Sequence, residues 1–235
     1  MNLFLFLQST GETLPVLSSV QDAATHAPSL RFFDMAVKGG WLMIPLALLL
    51  FLAIYIFIER LLVINKASVE DPSFMDRIKD YIQTGNLDAA IKLCKKNQTP
   101  SSRMIEKGIT RIGRPMNDVQ IAIENVGNIE VAKLEKGLPV LASAAGGAPM
   151  IGFLGTVMGM VQAFFDMSTA GSNVDITVLS SGIYVAMVTT VGGLIVGISA
   201  YFAYNYLVSR IKRIVNNLES KTMEFMDLLH EPAKQ

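Results

Sequence analysis

Residues 148–164, APMIGFLGTVMGMVQAF, and residues 182–205, GIYVAMVTTVGGLIVGISAYFAYN, carry no charge and are crowded with glycine, alanine and threonine. On a helix, Ala148, Gly152, Gly155, Gly159 and Ala163 recur every three or four residues and so share one face. Gly182, Ala186, Thr189, Gly193, Gly197 and Ala200 repeat the arrangement. Smooth stripes of this kind let helix backbones approach closely in a bilayer, where packing and weak polar contacts drive association. Thr156 and Thr190 each stand about 100° from their stripe and offer a hydroxyl at its edge.

The two stretches sit inside longer charge-free intervals, residues 137–165 and 176–209, and a third lies at 42–58. About 20 apolar residues cross a bilayer core, so each interval is long enough to span. The first span is placed at 41–64, with Trp41 at one interface and Arg60 snorkelling at the other; Pro45 falls in the opening turn, where it disturbs a helix least. The interval 176–209 would run about 51 Å as a helix, well beyond an apolar layer of about 30 Å. It is therefore expected to leave the lipid and continue into 210–235, where Ile211, Ile214, Val215, Leu218, Phe225 and Leu229 keep an apolar stripe.

Composition agrees. The 235-residue chain is 51% hydrophobic and 17% charged, below the roughly 25% charged share of soluble domains. A net charge of zero argues against a nucleic-acid binder. The single cysteine, Cys94, excludes an internal disulfide, and His26 and His230 have no partners at metal-ligand spacing. A P-loop is absent, and Gly146-Gly147 and Gly192-Gly193 lie within bilayer-length apolar runs rather than phosphate loops. No cofactor and no enzymatic activity are expected.

Residues 65–136 differ in character. Asp71-Pro72-Ser73 can open a helix ending near Gly85, and Asn86 can cap a second ending near Asn97. Ser101 or Ser102 can cap a third, closed by Gly113, and Pro115 to Lys136 reads as a long helix. This is a helical soluble insert between spans. Residues 1–40 are expected to form an arm and an interfacial helix, loose and polar over 8–29; the opening MNLFLFLQST has too short an apolar run for a secretory signal and is expected to be kept as an interfacial segment. Leu30, Phe33 and Val37 suggest a short surface helix there. Lysine and arginine number two before Trp41, 13 in 59–136, none in the 166–175 loop and five in 210–235. The basic-rich segments stay in the cytoplasm. The amino terminus and the 166–175 loop are then expected outside, and the insert and carboxyl terminus in the cytoplasm.

No Asp, Glu, His, Lys or Arg lies in the three charge-free intervals. Proton relays in membranes ordinarily use an ionisable residue within the bundle; here the spans offer only hydroxyls, on Ser143, Thr156, Ser181, Thr189, Thr190 and Ser199. Either these line a path, or they bond back to their own helix carbonyls.

Ala148-Pro149, Gly152, Leu154-Gly155-Thr156, Gly159 and Phe164, followed by Ala186-Met187-Val188-Thr189-Thr190, Gly193-Leu194, Ala200 and Tyr204-Asn205, resemble the MotA/TolQ/ExbB proton-channel family, nearest its ExbB/TolQ branch. The resemblance covers about residues 36–210 in layout. It implies an all-α integral membrane protein of the inner membrane with three transmembrane helices and a helical cytoplasmic insert, five copies forming a homopentameric ring. It further implies a single-span ExbD- or TolR-like partner carrying a membrane aspartate, protons as coupling ion, and a TonB-like protein as recipient of the work. By the same resemblance Thr156 and Thr190 face the pore; from the residues themselves the hydroxyls of Thr189, Ser143 and Ser181 are candidates for further lining, and Gly152, Gly155, Gly159, Gly193 and Gly197 for helix packing or partner contact. Two positions depart from the pattern: Val185 stands where many family chains have glutamate, and Ser199 where they have proline. No ring carboxylate is therefore expected in the pore, and the helix kink that proline would cause loses its usual origin.

Overall fold

A computed structural model describes residues 40–69, 71–169 and 176–230; the expected surface helix near Leu30 lies outside them. Among the described residues seven helices run in chain order: α1 Met43–Ser68, α2 Phe74–Gln83, α3 Leu87–Asn97, α4 Pro100–Ile109, α5 Met116–Glu135, α6 Leu138–Thr169 and α7 Ile176–His230. Three of them, α1, α6 and α7, are long and apolar enough to cross a membrane. Their outward faces are lined by large apolar side chains such as Phe51, Phe153, Val161 and Phe202, each more than 60% exposed, the surface lipid would cover.

Local chemistry sets the helix ends. Asn86 Oδ1 accepts a hydrogen bond from the Ala89 N–H and caps α3. The expected cap of α4 at Ser101 or Ser102 is corrected to Thr99, whose Oγ1 accepts from the Ser102 N–H at 3.2 Å. Proline has no N–H to satisfy and suits the first helical position, so Pro100 pushes the cap one residue upstream. Between α5 and α6 the chain turns at Gly137 in the left-handed region, φ +85°. A side chain there would be strained, and an added Cβ would press on Ile56 at 3.4 Å. Beside that turn Arg60 Nη1 donates to the Lys133 carbonyl at 3.1 Å, filling one of the acceptors that the end of α5 leaves open. Arg60 is 6% exposed, so it is an internal fastener of α1 to α5 as well as an interfacial residue.

The helices also outrun the charge-free intervals. α1 continues to Ser68 and α6 to Thr169, because a charge at the lipid boundary does not stop a helix. Gln162 Nε2 donates to Asp166 Oδ1 one turn on at 2.8 Å, supporting the last turns of α6.

The short helices α2 to α4 and the helix α5 build a bundle against the lower half of α7. Ile78, Ile105, Ile123, Leu207 and Phe225 are fully buried there. The approach is tight: a Cβ on Gly108 would lie 2.6 Å from the Phe225 ring and 2.8 Å from Ile123. Glu130, 5% exposed, takes Arg103 at 2.7 Å and Lys133 at 2.6 Å, so its buried charge is matched by two cations reaching in from solvent.

Cys94 is 1% exposed in this bundle. Burial, with the charge of Glu106 adding to it, pushes the thiol up to about 12. The folded chain should therefore resist iodoacetamide at pH 8 and react only after denaturation, a difference mass spectrometry reads directly. The sign with pH follows. Above the ordinary thiol value and below about 12, the folded form holds a proton that an unfolded chain releases, so rising pH in that window favours unfolding.

Candidate functional site: the seam between α6 and α7

The glycine stripes meet. A Cβ built on Gly152 would lie 3.0 Å from the Thr189 carbonyl oxygen and 3.1 Å from the Gly193 Cα. On Gly159 it would meet the Ala186 Cβ at 2.7 Å, and on Gly193 the Ala148 carbonyl oxygen at 2.6 Å. On Gly155 it would overlap the Thr189 hydroxyl, and on Gly197 it would meet Pro149 Cγ at 2.5 Å. All five glycines singled out from the sequence therefore line one contact, with backbone meeting backbone at Gly152 and Gly193 and small side chains or the Pro149 ring filling the space at the others. By contrast, Gly146 and Gly147 have nothing within 4 Å of such a Cβ. Gly192 belongs to a different contact, facing Met43 and Leu46 of α1.

Pro149 adds a feature that the stripes do not announce. Lacking an N–H, it gives the Ala145 carbonyl no helical donor. A Cβ on Gly197 would come within 3.0 Å of that same oxygen, so only a glycine Cα–H fits beside it. The broken rung of α6 is thus covered by a bare stretch of α7. At Ser199, which stands where the pattern has proline, α7 runs on without interruption and the Ser199 hydroxyl donates to the Ile195 carbonyl at 2.8 Å.

The hydroxyls divide into two kinds. Ser143 donates to the Pro139 carbonyl at 2.9 Å, Thr156 to Phe153 at 2.6 Å and Thr189 to Ala186 at 2.7 Å, each within its own helix. Thr190 does not. Its Oγ1 crosses the seam and donates to the Gly152 carbonyl of α6 at 3.0 Å. Thr189, 1% exposed, fills the notch over Gly155 and is part of the packing itself.

Thr190 lies two residues from Gly192, about 160° around α7 from the face that meets α1. Thr156 lies five residues from Ile151, which packs in the small cluster with Leu46 of α1, about 140° around α6. The two threonines are brought to the same flank of the seam, the one turned away from α1. Ser143 and Ser181 do not join them: each falls nine residues before Gly152 or Thr190, about 180° around its helix, and both are exposed. Val185 is half-buried, and a Cβ built on Gly40 ahead of α1 would lie 3.9 Å from its Cγ1, away from that flank.

Among the described residues three helices are long and apolar enough to cross a membrane, and the two longest helices are joined by a glycine contact carrying hydroxyls and no charge. A profile of the MotA/TolQ/ExbB proton channel family matches residues 96–220, which take in α6 and most of α7, and the chain belongs to that family. It is 28% identical over 197 residues to a biopolymer transport protein ExbB homolog of Methanothermobacter thermautotrophicus, covering 82% of this chain and 70% of that one. It is 28% identical to an ExbB-like biopolymer transport protein of Synechocystis sp., over 83% and 74% of the two chains. To the Tol-Pal system protein TolQ of Haemophilus influenzae it is 26% identical, over 87% and 96%.

Proposed function

We propose that this chain is the ring subunit of a proton-driven motor of the bacterial inner membrane, with its amino terminus periplasmic and its helical bundle cytoplasmic. Five copies surround a pair of single-span partners of the ExbD or TolR kind, whose membrane aspartate carries the proton past Thr156 and Thr190. The work is delivered to a TonB-like protein reaching the outer membrane. A TolQ-like or gliding-motor role is the same chemistry with a different recipient, and the relatives include both ExbB-like and TolQ proteins. The observation that carries the reading is the pair of threonines on one flank of a seam whose spans hold no titratable carboxylate, histidine, lysine or arginine. A proton path through such a wall needs a carrier from outside it.

In vesicles, the purified chain alone should pass protons no faster than empty lipid. Co-reconstituted with a single-span partner bearing a membrane aspartate, it should give uptake that is lost when that aspartate becomes asparagine. Brisk uptake by the chain alone would end the proposal. A non-conducting scaffold is favoured by one finding, that Ser143, Thr156, Thr189 and Ser199 all satisfy their hydroxyls on their own helices. Function that persists after the proton gradient is collapsed would select it.

A further inference from the structure

Where α1 and α7 emerge from their apolar stretches, they enclose a cavity of about 200 Å³ lined by Ile64, Ala67, Ser68, Arg210, Arg213, Ile214 and Asn217. It has room for several water-sized groups. Two of the seven lining residues are arginines and none is a carboxylate. Arg210, which lines the cavity, is half-buried and its Nη2 donates to Asn65 Oδ1 at 2.7 Å, which holds its side chain between α7 and α1. Its Nε, shielded from solvent, has no hydrogen-bond partner. A buried, orphaned guanidinium N–H beside a second arginine is a donor set waiting for a planar or tetrahedral oxyanion.

Depth chooses among oxyanions. Arg210 is the first charge after the charge-free run 176–209, and Ile64 and Ser68 lie one and two turns beyond Arg60 on α1. The cavity is therefore level with the headgroups on the basic side of the membrane, with apolar Ile64, Ala67 and Ile214 beside the arginines. We propose that it is a phosphate site occupied by the headgroup of an anionic phospholipid, which ties α1 to α7 where both leave the bilayer.

The test uses the full-length protein in dodecyl maltoside, with thermal unfolding followed by circular dichroism. Short-chain phosphatidylglycerol should raise the melting temperature saturably, and phosphatidylcholine of the same chain length should not. Sodium phosphate at constant ionic strength should compete with the lipid. In Arg210→Gln/Arg213→Gln the half-saturating lipid concentration should rise roughly twentyfold, about fivefold per arginine. Lys66→Gln/Lys212→Gln, which removes the same charge from exposed positions outside the cavity, should leave it unchanged.

Equal responses of the two double variants would reduce the effect to general surface charge and overturn the site. Phosphatidylcholine acting as well as phosphatidylglycerol would do the same. Stabilisation by phosphate through the arginines without any by phosphatidylglycerol would make the occupant a soluble anion and overturn the lipid. If the Arg210 variant does not fold, Arg213→Gln alone, which leaves the Asn65 bond intact, should still weaken the lipid response about fivefold; an unchanged response would refute the proposal.

Discussion

Gly193→Val should remove the folded protein from the membrane, and Gly193→Ala should already destabilise it by about 1–3 kcal/mol. The reason is what the added carbon meets: the Ala148 carbonyl oxygen at 2.6 Å and the Gly152 Cα at 2.9 Å, both backbone. A side chain could rotate away, but two helix backbones can only separate. Separation would also part Thr190 from the Gly152 carbonyl and Gly197 from Pro149. The control lies in the neighbouring helix, α6. Gly146→Ala and Gly147→Ala place their carbons in open space and gain up to about 1 kcal/mol of helix propensity. Detergent-solubilised yield and melting temperature would rank the three sites. Equal tolerance at Gly193 and Gly146 would mean that the seam is not the close contact described.

Thr190→Val should leave assembly intact and lower partner-dependent proton uptake about tenfold, the weight of roughly one hydrogen bond. Valine keeps the shape and removes only the hydroxyl that spans to α6. Thr190→Ser retains the hydroxyl and should keep most of the activity. Thr156→Val, on the same flank but bonded within its own helix, should also lower uptake if that flank faces the proton carrier. Thr189→Val instead removes a hydroxyl sealed in the packing and should act on stability rather than on flux. Vesicle uptake at matched protein levels separates these outcomes. Normal flux in both Thr190→Val and Thr156→Val would dismiss the pore assignment.

Much of the architecture was open to sequence reasoning because lipid imposes simple demands. Charge-free runs of bilayer length locate α1, α6 and α7, and the three-to-four-residue recurrence of small side chains identifies the seam that Gly152, Gly155, Gly159, Gly193 and Gly197 form. Helical geometry likewise sets Thr156 and Thr190 at the edge of their stripes. Other features depend on facts no single helix carries. That Thr190 bonds across the seam while Thr156 bonds at home follows from the stagger between α6 and α7. That Ser143 and Ser181 fall away from the threonines needs the side of each helix occupied by α1. Arg60 reads as an interfacial arginine, yet its use as a fastener for the end of α5 depends on where the chain turns at Gly137. The cap of α4 was misplaced because two serines follow the proline. Helix geometry favours Pro100 inside the first turn, and Thr99 is then the residue left to cap it.

The unbroken α7 has a mechanical consequence. Its 55 residues make a rod about 80 Å long, gripped by α6 through glycine near one end and by Phe225 in the bundle near the other. Pivoted where Arg210 is tied to Asn65, a tilt of about 5° carries His230, about 30 Å from the pivot, through roughly 3 Å. Whatever nudges the threonine flank is thus felt at His230 as a swing large enough to open or shut a contact, with no hinge along the way to absorb it.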